Sequence, residues 1–285
     1  MAMTDSDPKP IPLPIPEPGR DPLPDPAPDP GPDDIPLPVV VGLDAIAAAL
    51  AAGWRDFRMA PAFGLLFAAF YVLGGLVLTS VALASGQEWW LMPFVVGFPL
   101  LAPFAAVGLY EVSRRIEADQ PLIWREVLSV VVAQKDRQVP SMAMLILLMF
   151  MFWVFVAHTT FALFMGVSAL TNITTSPEVL MQGRGLVMLL AGTAIGAGFA
   201  AVLFAITVVG LPLILDREVD LVSAIIASFQ AVAANPGVMA VWAALIAGLL
   251  FLGFLPMFLG LFVVLPVLGH ASWHMYRRLM PDDQA

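Results

Sequence analysis

The stretch Ser141–Gly166, SMAMLILLMFMFWVFVAHTTFALFMG, decides the class of this protein. It carries no charged side chain, and it is longer than the roughly 20 apolar residues that an α-helix needs to cross a bilayer. The whole chain of 285 residues has the same character, with 60% hydrophobic and 12% charged residues and a mean hydropathy of +0.88. Soluble domains carry about 25% charged residues. The sequence therefore predicts an all-α, multi-pass membrane protein.

Further uncharged runs are long enough to span the membrane. The last of them, Leu221–Tyr276, is too long for one helix, so we divide it near Gly253 and Pro256. Six spans are then predicted within a transmembrane domain over residues 39–280. The predicted spans are residues 62–84, 89–110, 141–166, 186–212, 237–254 and 257–276.

Residues 1–38 differ sharply from the rest of the chain. Proline occupies nearly every second position from Pro8 to Pro32, and eight of the 22 acidic residues precede Val39. Each proline fixes its own φ and removes a backbone donor, so neither helix nor sheet is favoured. We expect a disordered, acidic, Pro-rich tail, for which a docking arm for a partner is the functional alternative.

The basic residues predict the orientation, because cytoplasmic loops retain Lys and Arg. With six spans, only Arg184 falls on the outer side, so both termini are predicted to be cytoplasmic and the protein to lie in a bacterial inner (plasma) membrane. The basic residues on the cytoplasmic side are Arg55, Arg58, Arg114, Arg115, Arg125, Lys135, Arg137, Arg217, Arg277 and Arg278.

Two marks recur along the chain and predict a threefold repeat. A stretch with helical periodicity precedes each odd-numbered span and closes on a proline, in GWRDFRMAP at Pro61, VAQKDRQVP at Pro140 and SFQAVAANP at Pro236. Each even-numbered span carries a proline in a similar apolar word, namely Pro99, Pro212 and Pro266. The predicted unit is an amphipathic interfacial helix followed by two spans. In the first unit the apolar face comprises Leu43, Ile46, Leu50, Trp54 and Phe57, in the second Trp124, Val127, Leu128 and Val131, and in the third Val222, Ile225, Ile226, Phe229 and Val232.

Several stretches resemble an uncharacterised family of bacterial integral membrane proteins, classed as a domain of unknown function. These are AGWRDFRMAPAFGLLFAAFYVLGG (52–75), GFPLLAPFAAVGLYEVSRRIEADQPLIWREVL (97–128), LPLILDREVDLVSAI (211–225) and LPVLGHASWHMYRR (265–278). The resemblance extends from about Gly42 to Met280. Members are sometimes labelled cytochrome c oxidase subunit I, which implies association with a respiratory oxidase or its assembly. An oxidase core needs more spans and more histidines than the three of this chain.

The histidine pair is the candidate metal site. His270 and His274 are four residues apart and share one face of a helix, so both imidazoles could bind one metal ion. The alternative is an aromatic and basic belt with Trp273 and Tyr276, which fixes a helix end at headgroup level. The third histidine, His158, lies inside a span and is expected to bond a neighbouring helix.

A second group of polar residues collects at the cytoplasmic ends of the even-numbered spans. The spacing of Glu111 to Arg114 and Arg115 permits ion pairs on one helix. We predict a polar interface at this end, or simple anchoring of the spans. The residues are Tyr110, Glu111, Arg114, Arg115, Asp216 and Arg217.

No catalytic motif, phosphate-binding loop or large basic surface is present, and no cysteine is available for a thiolate site. We therefore expect no enzyme activity, no cofactor and no nucleic acid partner. The expected partners are the lipid bilayer and a membrane-protein complex. The predicted function is a non-catalytic scaffold, accessory or assembly protein. The alternative is a small-molecule or lipid-handling permease with a cavity at the proline kinks of the even-numbered spans.

Overall fold

The computed structural model describes residues 35–85, 92–166, 183–217 and 219–281. Almost all of the predicted Pro-rich tail lies outside these residues, and the part of the chain from Ile35 onward forms one compact unit. No strand occurs in the described ranges, which confirms the all-α prediction. The helices are α1 (Asp44–Met59), α2 (Pro61–Ser85), α3 (Met92–Glu117), α4 (Trp124–Ala133), α5 (Val139–Met165), α6 (Gly183–Thr207), α7 (Gly210–Arg217), α8 (Leu221–Ala234), α9 (Pro236–Phe254) and α10 (Leu261–Leu279).

Four stretches of the described chain are long and apolar enough to cross a membrane. They are α2, α5, α9 and the stretch Gly183–Arg217, which combines α6 and α7. These stretches coincide with the first, third, fifth and fourth predicted spans. The second and sixth predicted spans fall on α3 and α10, which are not among the four. In α3 the charged side chains begin at Glu111, in the last third of the helix, whereas in α10 polar and charged side chains fill the whole second half.

Prolines begin three of the long helices. Pro61, Pro140 and Pro236 each occupy the first or second position of the helix that they enter. Proline is favoured there, because its fixed φ suits the helix and its missing N–H would have no partner in the first turn. The prolines that close the amphipathic stretches are therefore helix starts.

Pro212 breaks a helix rather than kinking it. α6 ends at Thr207 and α7 begins at Gly210. A proline ring clashes with the carbonyl four residues earlier and cannot donate to it. At the break, the backbone N–H of Val209 donates to the Ser228 hydroxyl at 3.1 Å, which satisfies a buried donor that the helix would otherwise have used.

The short helix α8 buries its small residues instead of its large ones. In α8 the buried positions are Ala224, Ala227, Ser228 and Ala231. Its large apolar residues Val222, Ile226 and Phe229 are exposed. On the predicted face of α1, Trp54 and the preceding Leu43 are exposed, whereas Ile46 and Phe57 are buried. The predicted apolar face of α8 is thus mostly exposed and that of α1 is divided, and their placement in the membrane interface stays a prediction. In a membrane, small residues allow helices to approach closely, while large apolar side chains can face lipid.

α10 lies at the centre of the bundle and contacts α1, α2, α3, α7 and α9. Its crossing with α1 is close because residue 53 is a glycine. A Cβ at Gly53 would lie 2.6 Å from the backbone N of Ala271 and 2.7 Å from the carbonyl oxygen of Val267. Glycine is thus required at this crossing, and α1 packs directly against the backbone of α10.

The segment before α1 is fixed by one side chain. The Asn235 amide, which is buried, accepts a hydrogen bond from the backbone N–H of Val41 at 2.8 Å and donates to the carbonyl of Val39 at 3.0 Å. The N–H of Val39 also donates to the carbonyl of Leu279 at 2.9 Å. The chain is therefore tied to the end of α10 and to the corner between α8 and α9.

Candidate functional site

Four buried polar side chains meet where α1, α3 and α10 cross. We call Asp56, Ser113, His270 and His274 the polar cluster. Asp56, Ser113 and His270 are completely buried, and His274 nearly so. His270 and His274 stand one turn apart on α10, so they can reach different neighbours: His270 contacts α3 and His274 contacts α1.

Asp56 and His274 form the closest pair of the cluster. Asp56 Oδ2 lies 2.6 Å from His274 Nε2, and Oδ1 accepts a hydrogen bond from Arg55 Nη2 at 3.0 Å. Burial alone would raise the pKa of Asp56. Hydrogen bonds and charge from His274, with further hydrogen bonds from Ser113 and Arg55, outweigh burial and hold that pKa below its usual value. The pair is thus a buried carboxylate stabilised by a donor on another helix.

Ser113 connects the second histidine to the same carboxylate. Its hydroxyl lies 2.8 Å from His270 Nδ1 and is also hydrogen-bonded to Asp56. Within the described part of the chain, His270 Nε2 has no hydrogen-bond partner. A chain of polar contacts therefore runs from Arg55, at the surface, through the polar cluster to His270 Nε2, which is buried and has no hydrogen-bond partner among the described residues.

His270 and His274, the predicted metal ligands, each have at least one ring nitrogen in contact with another protein group. His274 Nε2 contacts Asp56, and His270 Nδ1 contacts Ser113. In the ranges that the structure describes, no group of three or more His, Asp or Glu side chains is arranged to hold a metal ion. Metal binding by His270 and His274 stays a prediction, and metal analysis of the purified protein against a His270→Ala, His274→Ala variant tests it.

The aromatic residues near the end of α10 are not a membrane belt. Trp273 and Tyr276 are completely buried in protein. The indole Nε1 of Trp273 donates to Glu117 at 3.0 Å, and the Tyr276 hydroxyl donates to Asp216 Oδ2 at 2.7 Å. The belt interpretation is wrong for these two side chains, because they attach α10 to α3 and α7 instead of facing headgroups.

The predicted polar interface lies beside this aromatic pair. Glu111 is completely buried and accepts hydrogen bonds from Arg114 Nε at 2.8 Å and Arg115 Nε at 2.7 Å. Arg115 also bonds Glu126 at the start of α4. The hydrogen bond to Glu111, with that to Glu126, raises the pKa of Arg115 despite partial burial.

Accessibility differs within the predicted interface. Tyr110 is buried, with its ring centroid 6.4 Å from that of Trp273. Asp216 is bonded to Tyr276 and lies 3.7 Å from Arg277 Nη1, and Arg217 is engaged in the same region. Of the two arginines that pair with Glu111, Arg114 is the more accessible, with 41% of its side chain exposed compared with 12% for Arg115. Most of this group therefore joins the helices to one another, and a role in partner binding stays a prediction.

His158 bonds its own helix. Its Nδ1 lies 2.8 Å from the carbonyl oxygen of Val154, one turn earlier, and the side chain is exposed. Thr159 and Thr160 bond carbonyls of the same turn. The expected bond to a neighbouring helix is wrong, since all three side chains satisfy themselves locally.

Sequence reasoning missed Asp56 and Ser113, although a signal for Asp56 is present. Ala49, Gly53 and Asp56 are spaced by four and three residues, so the carboxylate shares a face with the small residues on which α1 packs. A carboxylate on such a face must find a partner in the adjoining helix. Ser113 carries no comparable signal, because serine is common near the end of a span.

An apolar cavity of about 340 Å³ lies between α2, α3, α9 and α10. It borders α10 on both sides of Pro266, through Leu265 and Leu268, and it borders α3 beyond Pro99 through Ala102 and Ala105. Around Pro212, in contrast, the residues of α7 are buried. A roomy cavity is thus present at the proline word of Pro266, its lining on α3 begins at Ala102, and the lining is apolar.

Comparison with known proteins finds one family whose model matches part of the chain. Residues 91–216 match the model of a family described as "Predicted integral membrane protein (DUF2189)". This segment extends from just before α3 almost to the end of α7 and makes up less than half of the chain. No curated protein and no solved structure matches the chain. The resemblance to an uncharacterised family of integral membrane proteins is confirmed over residues 91–216.

Proposed function

We propose that six spans cross a bacterial inner membrane in three repeats of one unit, with both termini in the cytoplasm. The order short helix, long helix, long helix occurs three times in the described chain and supports this arrangement. The residues before two of the entry prolines also share a backbone conformation. Ala60 has φ −130° and ψ 51°, and Asn235 has φ −131° and ψ 47°. The first and third units therefore turn into their spans in the same way.

The function that these features support best is that of a non-catalytic scaffold, accessory or assembly protein. The observation that carries this proposal is the division between a fixed end and exposed spans. α10 is joined to α1, α3 and α7 by buried polar contacts, whereas in α2, α5 and α9 no more than 25%, 22% and 17% of the most apolar window is buried. A rigid end that holds largely uncovered spans presents wide apolar surfaces on which other membrane helices can pack.

The partner class is another integral membrane protein complex. A respiratory oxidase is one candidate, because members of the resembling family are sometimes labelled as an oxidase subunit. In such a complex this chain would supply packing surface and no haem ligand, since His158 faces outward and the other two histidines are bonded within the polar cluster.

Copurification from native membranes tests the scaffold proposal. The tagged protein is extracted with a polymer that retains surrounding lipid, and the complex is analysed by mass spectrometry and by haem absorbance. We expect a membrane-protein partner at a fixed ratio to this chain at every expression level. A protein recovered alone at native expression would contradict the proposal.

The second candidate is a small-molecule or lipid-handling permease, which the cavity beside Pro266 favours. A permease must expose its site to each side of the membrane in turn. Accessibility labelling of single cysteines introduced at Leu265 and Leu268 tests this, because the natural chain contains no cysteine. Labelling from both sides would favour the permease, and protection from both sides would favour the scaffold.

A further inference from the structure

We propose that the apolar cavity between α2, α3, α9 and α10 holds one hydrocarbon chain of a bilayer lipid. This inference does not depend on the scaffold proposal. Nearly the whole lining is hydrocarbon, and Tyr71 and Ser272 supply the only side-chain hydroxyls among the lining residues. The occupant must therefore be apolar along its length.

Water is a poor occupant of this cavity. A volume of 340 Å³ corresponds to about ten water molecules at roughly 30 Å³ each. A buried water needs two to four polar partners, and an apolar lining cannot provide them. The space is thus either filled by hydrocarbon or lost by collapse of the helices.

Collapse is resisted by the packing at the end of the cavity that faces the polar cluster. A Cβ at Gly269 would lie 2.4 Å from Leu109 Cδ1, so α3 and α10 are already in contact at this level. Gly269 and Leu109 directly precede His270 and Tyr110, which belong to the bonded end of the bundle. The two helices cannot move closer here without disturbing those bonds.

The cavity has the dimensions of a single chain. On α10 its lining extends from Leu261 to Ser272, which is roughly 16 Å of helix at 1.5 Å per residue. A volume of 340 Å³ over this length gives a mean cross-section of roughly 20 Å². This area matches the cross-section of one extended hydrocarbon chain and is smaller than the cross-section of a fused-ring system. The room comes from small side chains on α3, namely Ala102, Ala105 and Ala106.

The direction of entry follows from the two ends. The lining begins at Phe254 and Leu261, which flank the turn between α9 and α10, and it ends one turn before Tyr276. Near the polar cluster, Leu109 and Gly269 bring α3 and α10 into contact, and on α10 only Ser272 lines the cavity beyond them. The chain therefore enters from the leaflet opposite the polar cluster, and its headgroup stays at that surface.

The test combines a filling substitution with a matched control. Ala106→Phe places a ring in the cavity, and Ala197→Phe places the same ring on an exposed position of α6. Each variant is reconstituted in vesicles of phosphatidylethanolamine and phosphatidylglycerol that contain a trace of phospholipid spin-labelled near the end of one chain. Electron paramagnetic resonance then measures the immobilised fraction.

We expect about one strongly immobilised chain per protein for the wild type and for Ala197→Phe, and its loss in Ala106→Phe. Leu250→Phe, which narrows the cavity from α9, serves as a second filling variant if Ala106→Phe does not fold. Equal immobilised fractions in the wild type and a folded filling variant would overturn the proposal. The absence of any immobilised chain in the wild type would overturn it without a variant. Partner copurification is scored separately, so failure of one proposal leaves the other standing.

Discussion

The two halves of α10 are held in different ways. From His270 to Leu279, five side chains bond or stack against α1, α3 and α7, and the large residues among them are buried. From Leu261 to Gly269, the helix is apolar and borders a cavity. The same helix is thus fixed by directed polar contacts at one end and borders an apolar cavity at the other.

In the proposed membrane arrangement, this difference follows from the solvent at each depth. Near the membrane surface, buried polar groups can be paired within the protein, and pairing them determines which helices meet. In the hydrocarbon core, protein and lipid tails are equally apolar, so the hydrophobic effect does not drive helices together. Gaps between helices in that region can be filled by lipid at little cost.

Removal of the central carboxylate is expected to have the largest effect. Asp56→Ala leaves His274, Ser113 and Arg55 without their common acceptor. Each buried donor that loses its charged acceptor costs about 1–3 kcal/mol of unfolding free energy. Denaturant unfolding in mixed micelles measures it. The control Asp136→Ala removes an exposed carboxylate 4.0 Å from Lys135 and should change stability by less than about 0.5 kcal/mol. Equal effects of the two substitutions would contradict a polar cluster that holds the helices.

The crossing of α1 and α10 should be nearly as sensitive. Gly53→Leu forces a side chain against the backbone of Ala271, which cannot give way as a flexible side chain can. Overpacking of this kind costs about 1–3 kcal/mol. Gly192→Leu on α6 is the matched control, because a Cβ there meets no atom within 4 Å. Thermal unfolding of both variants in nanodiscs compares them, and a tolerated Gly53→Leu would show that α1 does not pack on α10 as described.

Ser113→Ala should have a smaller effect. It removes the hydrogen bond to His270 Nδ1 and leaves the imidazole without that partner in a buried position. An unsatisfied buried polar group costs about 1–2 kcal/mol. Ser129→Ala, whose hydroxyl bonds the Glu126 carbonyl at an exposed site, is the control. If the unfolding midpoints of the two variants coincide, the hydrogen bond to His270 contributes nothing specific.

The smallest expected effect at physiological pH is that of the Asp56 carboxyl group on the pH dependence of folding stability, which becomes visible only in acid. The pKa of Asp56 is lower in the folded protein than the usual value of about 3.9. Its contribution to stability is therefore fully present above that value and is lost as pH falls through the lowered pKa. We expect no change from this group between about pH 5 and 8 and a decline below about pH 4. Asp56→Asn should unfold with a shallower acid-side decline than the wild type, and parallel pH profiles would contradict this assignment.

The helices could be predicted from sequence because their signals are local. The spacing of apolar residues by three and four residues indicated α1, α4 and α8, and the prolines at 61, 140 and 236 marked the starts of α2, α5 and α9. The buried face of α8 could not be predicted in the same way. Its large residues Val222 and Phe229 face outward, since lipid and protein compete for apolar side chains.

The contacts of the candidate site were beyond sequence reasoning because they join distant parts of the chain. Asp56 and His274 are separated by 218 residues, and Ser113 and His270 by 157. The spacing of His270 and His274 predicted a shared metal, but it contained no information on the carboxylate and hydroxyl that bond them. Volume between helices, such as the cavity beside Pro266, likewise depends on packing that no single segment determines.

The most direct test of the junction between α1 and α10 is a double-mutant cycle on Asp56 and His274. Unfolding free energies are measured in the same micelles for the wild type, Asp56→Asn, His274→Gln and the double variant. For two directly bonded buried groups, we predict a coupling free energy of about 2–3 kcal/mol, with the double variant little worse than either single one. Additive effects, with coupling below about 0.5 kcal/mol, would contradict the conclusion that this pair fixes the polar end of α10 to α1.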